Sequence, residues 1–340
     1  MAQPTRIFTD VDYEQDGKQV GWLYLPYSIT RSAYGNISIP VACIKNGKGP
    51  TVLFTAGTHG DEYEGQIALC KLVRSLQPSD IRGRVIIVTA ANLPAAMAGT
   101  RVSPLDEGNL ARLFPGDSDG TPTRAIAHYI DTVLFPMVDF YHDLHAGGSS
   151  LDYVPFASMR KSGNPELDAR AMAALRAFAP PTGLVWAHSL DSGLSVGSAI
   201  GAAIRRGIVT LGGEFGGGGG VSITGVRVVE RGIRNLLVHA GCMAPDGGPK
   251  EEPPRTRLME VRGQDYFVLA SEAGLFEPFV ELSDWVQAGQ PCGQIHFVDN
   301  PAREPVPITF RAAGMVVCKR RFGRVERGDC VAHLATDWKG

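Results

Sequence analysis

Apolar and polar positions change period repeatedly between residues 51 and 240. Thr51-Val-Leu-Phe-Thr-Ala56 is a short apolar run rich in β-forming residues, the pattern of a buried strand. From Glu62 to Leu76 the apolar residues fall at Ile67, Ala68, Leu72, Val73 and Leu76, a helical spacing. The same reading predicts strands at 84–90, 138–145 and 207–212, and helices at 121–135, 165–179 and 221–240. Strands alternating with helices argue for an α/β fold with a largely parallel sheet. Residues 1–48 read as an extended lead-in: Trp22-Leu-Tyr-Leu25 and Ile37-Ser-Ile-Pro-Val-Ala-Cys-Ile44 are strand-like, and Lys45 to Pro50 is a turn by composition. Between Asn92 and Asp119 there is little periodicity, and a polar loop of that length inside a compact domain points to function.

After Pro245 the texture changes. Pro245-Asp-Gly-Gly-Pro-Lys-Glu-Glu-Pro-Pro254 is rich in proline, glycine and charge and reads as a boundary. Residues 255–340 are strand-like and carry a weak internal repeat. Val286 to Ile295 echoes Val325 to Leu334, each preceded by a glycine, at 274 or 314. Two such halves predict a small β-sandwich of the biotinyl/lipoyl type. A carrier domain needs a lysine at the hairpin between the halves, and residues 298–311 contain none. The sandwich therefore reads as a structural cap beside the site. The expected units are a lead-in (1–48), a catalytic domain (49–244) and this cap (255–340).

Composition narrows the class. The 340 residues are 44% apolar and 20% charged, enough for a large core, and the net charge of −2 offers no field for nucleic acid or an anionic membrane. The first ten residues have no apolar core of signal-peptide length, and nothing downstream is long enough to span a bilayer. Six scattered cysteines form no Cys-x-x-Cys pair, so neither a disulfide framework nor a cysteine metal site is indicated. A reduced, soluble, cytoplasmic protein is the expectation.

Candidate chemistry gathers at two strand ends. The turn after Thr51–Ala56 holds His59 and Glu62, and Gly57 and Gly60 allow it to bend sharply enough for the two side chains to converge. An imidazole and a carboxylate three residues apart make half of a zinc site. The plainer reading is a strand-to-helix loop whose acids favour the helix N-terminus. Met137-Val-Asp-Phe-Tyr-His-Asp-Leu-His145 reads as a strand entering a glycine turn. Alternation along a strand sends Asp143 and His145 one way and His142 the other. His145 is then the third ligand, Asp143 its orienting partner, and His142 a structural residue. A helix would instead put His142 and His145 on one face, but the β-rich residues before them argue against it. In the long loop, Arg101 and Arg112 suit carboxylate capture or stabilisation of an oxyanion, or equally pairing with nearby surface acids. Gly212 to Gly220 lacks the lysine and spacing of a phosphate-binding loop, which leaves Glu214 as its one chemical group.

His59-Gly-Asp-Glu62 followed by Asp143-Leu-His145 resembles the succinylglutamate desuccinylase/aspartoacylase family, zinc amidohydrolases built on the zinc-carboxypeptidase fold. The resemblance extends through Asn109-Leu-Ala-Arg-Leu-Phe-Pro-Gly116 and Gly213-Glu-Phe-Gly-Gly-Gly-Gly219. Within the family, Lys45-Asn-Gly, Asp152-Tyr-Val-Pro-Phe156 and the stretch from Glu230 to Gly241 are similar to the deacetylases of ectoine breakdown, which act on Nα-acetyl-2,4-diaminobutyrate. It implies a mixed sheet flanked by helices, with a smaller all-β C-terminal domain. It also implies one Zn²⁺ per chain held by His59, Glu62 and His145, and Glu214 as general base. Arg112 falls on the arginine that holds the product carboxylate, with Asn109 also assigned to substrate binding, and Arg101 falls near the one that steadies the tetrahedral intermediate. Ala111 departs from the usual family asparagine, removing one hydrogen-bond donor to the substrate. The implied activity is zinc-dependent deacylation of a small N-acyl amino acid, with a homo-oligomer left open. Competing readings are a desuccinylase, an aspartoacylase-like enzyme, a carboxypeptidase, or a catalytically silent binding protein that only Ala111 favours.

Overall fold

The computed structural model describes residues 5–187, 196–245 and 255–340. All of the boundary predicted at 245–254 except Pro245 lies outside the described residues. The chain opens with β1 (Phe8–Thr9), β2 (Gly17–Pro26) and β3 (Asn36–Asn46), an antiparallel ribbon. β4 (Thr51–Ala56) feeds α1 (Tyr63–Ser75), β5 (Gly83–Val88) feeds α2 (Leu93–Ala98), and α3 (Pro122–Tyr129) precedes β6 (Phe140–Leu144). Next come β7 (Leu151–Tyr153), β8 (Phe156–Arg160), α4 (Pro165–Phe178), β9 (Thr182–Trp186), α5 (Ala199–Arg205), β10 (Val209–Glu214) and α6 (Ile223–His239).

Every residue of β4 is buried, as expected for a run that lies mid-sheet with a core on each face. One face packs on α1, α4 and α6 through Leu69, Phe178, Val229 and Leu236. The other packs on α3 and α5 through Ile126, Tyr129 and Ala203. Spatially the sheet runs β1-β2-β3-β5-β4-β6-β10-β8-β9. The parallel arrangement expected from the alternation holds in its centre, β5-β4-β6-β10, whereas β3 with β5 and β8 with β10 are antiparallel. Parallel pairing of β4, β6 and β10 brings their carboxyl ends to one edge. The turn holding His59 and Glu62, then His145, then Glu214 therefore stand side by side, where ligands of open α/β sheets bind.

The C-terminal residues add β11 (Arg257–Val261), β12 (Phe267–Leu269), β13 (Gly274–Pro278), β14 (Trp285–Val286), β15 (Pro291–His296), β16 (Val306–Thr309), β17 (Gly314–Arg320), β18 (Arg324–Val325) and β19 (Cys330–Asp337). The repeated sequences become β13-β14-β15 and β17-β18-β19, with Gly289 and Gly328 both at left-handed φ before the last strand. The halves exchange short strands: β13 pairs with β18, and β14 with β17. One product is a separate antiparallel sheet, β16-β15-β13-β18. The other continues the large sheet, because β19 pairs with β11 and β11 with β9. Val286, Ile295, Phe310, Val316 and Leu334 share a core with Phe156 and Leu184 of the preceding strands.

Several elements escape the sequence pattern. β8 is Phe-Ala-Ser-Met-Arg, with no β-branched residue, and α5 is only seven residues with an internal glycine. The long loop contains α2, closed by Gly99 in the left-handed region, and a 3₁₀ turn at Leu110–Arg112. The predicted helix 121–135 is α-helical to Tyr129 and then widens into a π turn, Ile130–Leu134. Among the described residues no helix is long and apolar enough to cross a membrane.

Candidate metal and catalytic site

One ligand atom each from His59, Glu62 and His145 lie within 4.8 Å of one another. Glu62 is buried at the start of α1, and both imidazoles present Nδ1 to it: His59 at 2.6 Å from Oε1 and His145 at 2.8 Å from Oε2. Each Nε2 faces an acceptor on the other side. His145 Nε2 is 2.8 Å from Asp143 Oδ2, and His59 Nε2 is 3.1 Å from Asn109 Oδ1. The Asn109 amide is oriented by the Ala111 N–H, which Oδ1 accepts at 3.1 Å. A neutral imidazole that donates from Nε2 keeps its lone pair on Nδ1. A cation among the three atoms would take the place of a proton between His145 Nδ1 and Glu62, with both Nδ1 lone pairs directed at it. Two imidazoles and one carboxylate with room for water are the donor set of catalytic zinc, so these residues fit that metal.

The carboxylate behind His145 is hydrogen-bonded through both of its oxygens. Asp143 Oδ1 accepts from Thr55 Oγ1 at 2.7 Å and Thr58 Oγ1 at 3.0 Å, while Oδ2 meets His145. Burial opposes its charge, but His145 and the threonine hydroxyls outweigh burial and hold the carboxyl below its usual range. For Glu62, too, burial is the largest influence and is overcome by His59 and His145, which keep it ionised. Burial would neutralise His145, yet Asp143 and Glu62 raise its pKa well above the ordinary value. His142 points the opposite way, with Nε2 3.2 Å from Gly212 O and its ring against Phe178. Burial pushes its pKa down to about 3.

Glu214 ends β10, two residues beyond the predicted strand end, and backbone bonds fix it beside His145. His145 N–H donates to Gly213 O at 3.1 Å, and Phe215 N–H to His145 O at 3.0 Å. Its Oε2 is buried without a hydrogen-bond partner. Burial and then the neighbouring Glu62 raise its pKa well above the carboxylate range, against the pull of His145 and Arg101.

The succinylglutamate desuccinylase/aspartoacylase catalytic domain matches residues 48–240. N-alpha-acetyl-L-2,4-diaminobutyric acid deacetylase of Halomonas elongata is 39% identical over 333 residues, covering 98% of this chain and 96% of that protein. The chain belongs to the succinylglutamate desuccinylase/aspartoacylase family. Two solved structures superpose with a TM-score of 0.92. One is a succinylglutamate desuccinylase/aspartoacylase from Rhodobacter sphaeroides, 41% identical and covering 99% of this chain and 100% of that one. The other is the product-bound ectoine utilization protein EutE (DoeB) from Ruegeria pomeroyi, 38% identical over 98% and 99%. Membership makes the chain an amidohydrolase.

Of the two arginines singled out in this desuccinylase/aspartoacylase-family chain, Arg101 reaches the cluster. Arg101 Nη1 is 3.4 Å from Glu62 Oε1, with the side chain half exposed. Arg112 sits on the 3₁₀ turn, which is docked by Phe114 N–H donating to Gly197 O at 2.9 Å. Its Nη1 donates to Ala111 O at 2.7 Å. Ala111, where the resemblance implies an asparagine, is buried. Sequence reasoning passed over Asp61, whose Oδ2 accepts from Ser149 N–H at 2.7 Å and Oγ at 2.9 Å. Asp61 thereby ties the Glu62 turn to the loop after His145. It also passed over Thr55 and Thr58; strand alternation aims Thr55 at Asp143 only once the β4–β6 register is known. After Glu214 the chain runs through Gly216 and Gly217, where it meets β7. A Cβ on Gly217 would lie 2.2 Å from Leu151 O, so only glycine fits that approach.

Proposed function

We propose that this protein hydrolyses the acetyl amide of Nα-acetyl-L-2,4-diaminobutyrate, with one zinc ion held by His59 Nδ1, Glu62 and His145 Nδ1. The single observation that supports it most is the convergence of three lone-pair donors, with each imidazole backed at Nε2 by Asp143 or Asn109. The near full-length likeness to a deacetylase of that substrate supplies the chemical class. When bound, zinc supplies Lewis acidity that acidifies water and polarises the amide carbonyl.

The chain's own groups do the rest. Arg112 takes the substrate's α-carboxylate through its free guanidinium edge. Glu214 Oε2, buried and without a hydrogen-bond partner, accepts the proton of the attacking water as its oxygen bonds to the acetyl carbon. Arg101 offsets the negative charge gathering on the carbonyl oxygen. Glu214 then returns the proton to the departing nitrogen as the C–N bond breaks, giving acetate and L-2,4-diaminobutyrate. Asn109 serves in this scheme by orienting His59, and its substrate role is secondary. The direct test is zinc content per chain together with acetate release from Nα-acetyl-L-2,4-diaminobutyrate, N-acetylaspartate and N-succinylglutamate. Turnover of either of the last two in preference to the first would overturn the substrate assignment, and activity without zinc would overturn the metal.

A further inference from the structure

The first turn of α1 carries a second buried acid, Glu64, which the chemistry above does not use. Its Oε1 accepts from Ser222 N–H at 2.7 Å, across 158 positions of sequence. Ser222 is the N-cap of α6, and its Oγ accepts from Gly225 N–H at 3.0 Å. In a capping box a Glu or Gln at the third helical residue reaches back to the N-cap N–H. In α6 that third residue is Gly225, and a Cβ on it would run into Phe215 O. Glu64 supplies the missing acceptor from the neighbouring helix.

The bond bears on the base through the chain itself. Glu214 leaves β10 into Phe215 and Gly216, and this exit is pinned on two sides. Phe215 O lies against the first turn of α6 at Gly225. Gly216, at φ +145°, passes so close to α1 that a Cβ there would stand 2.5 Å from Glu64 Oε1. Two residues before Glu64, Glu62 meets His145 Nδ1 and accepts from Ala146 N–H at 3.1 Å. The start of α1 thus holds the end of β6 through Glu62 and the exit from β10 through Glu64.

We propose that Glu64 is a positioning residue for Glu214. By holding Ser222 N–H against α1 it fixes the path from Phe215 to Ser222, and so the placement of the base relative to His59, Glu62 and His145. An acid in the first turn of a helix ordinarily serves that helix's own dipole. Glu64 instead spends an oxygen on a second helix, on the far side of the loop that carries the base. Displacing a reacting group by about 1 Å can cost ~10²-fold in rate, so a tie of this kind is worth more to turnover than to binding.

This role rests on the deacylase reading with Glu214 as base, and the measurements keep the two apart. Zinc content, steady-state kinetics on Nα-acetyl-L-2,4-diaminobutyrate and amide hydrogen exchange over residues 213–222 compare wild type, Glu64→Ala and Glu64→Gln. Glu64→Ala is expected to keep its zinc and near wild-type KM, with kcat down about tenfold or more and exchange about tenfold faster. Glu64→Gln, whose amide oxygen can still accept from Ser222 N–H, should recover most of both losses without the charge. Wild-type kcat in Glu64→Ala overturns the proposal. An equal loss in Glu64→Gln overturns it too, by assigning the effect to charge, and so does loss of zinc, which would place Glu64 behind Glu62 instead. Should Glu64→Ala fail to fold, Glu64→Asp replaces it, keeping the charge but falling one methylene short of Ser222; wild-type kcat there ends the proposal. If the wild type releases no acetate, the deacylase reading has failed on its own, and exchange decides. Faster exchange in Glu64→Ala that Glu64→Gln restores supports the tie, and unchanged exchange ends it.

Discussion

His142 and His145 lie on one strand and face opposite worlds. His145 Nδ1 meets Glu62, while His142 packs against Phe178 and Phe215 in the apolar layer under α4 and α6. His145→Ala is expected to lose zinc and activity together. His142→Ala should keep near one equivalent of zinc but lose about 2–4 kcal/mol of stability to the cavity it leaves. Elemental analysis beside urea unfolding distinguishes them, and loss of zinc from the His142 variant would refute the assignment. Glu214→Gln keeps the side chain's shape and removes its basicity. Zinc and KM should stay near wild type, with kcat down at least ~10²-fold, a loss confined to the transition state. A variant with wild-type turnover would dismiss Glu214 as the base. Much of this site was legible because its residues are local: His59 and Glu62 share one turn, and strand alternation alone sorts His145 from His142. The backing of His59 by Asn109 was not, since that contact joins residues fifty positions apart through a loop with no periodicity.

Among the elements, the turn from Gly57 to Glu62 depends on its neighbour α2 more than on its own residues. A Cβ on Gly60 would fall 1.9 Å from Ala95 O, and Gly60 N–H donates to Thr100 O at 2.8 Å. Gly60→Ala must therefore push the turn off α2 and carry His59 and Glu62 with it. Weaker zinc retention against a chelator is expected, with little change in helix content by circular dichroism; unchanged retention would show that the turn tolerates the shift. Strands and helices with strong periods, such as β4, α1 and α6, were readable directly. α2 was not, because six residues of Leu-Pro-Ala-Ala-Met-Ala are too few to establish a period. β8 and β9 acquire their place only from the sheet that encloses them.

For the molecule as a whole, two buried neutral histidines link stability to pH. Burial pushes both His142 and His333 down to about 3, far below the ~6.5 of an exposed histidine. Between those values the unfolded chain binds more protons than the folded one. Stability is thus fully present above about pH 6.5 and falls as pH drops, by up to ~1.4 kcal/mol per pH unit for each histidine. His333→Phe should flatten that fall, read as urea midpoints from pH 7 to pH 5; curves parallel to wild type would contradict it. Removal of residues 255–340 should also fail to leave a soluble enzyme. It strips β11 from β9 and β17 from β7, and bares the core around Phe156 and Leu184.

The pairing of β7 with β17 bears on how the chain is made. Tyr153 N–H and Gly218 N–H join β7 to the glycine loop after Glu214, through Gly216 O and Leu151 O. On its other side β7 waits for Cys318, Lys319 and Arg320. During synthesis His59, Glu62, His145 and Glu214 all leave the ribosome before those residues do. The nascent protein therefore carries these candidate groups on a scaffold whose neighbouring strand has an open edge, a site for pairing with the wrong chain. Order of translation becomes order of maturation: the site is braced only after residues 314–337 have emerged and closed over it.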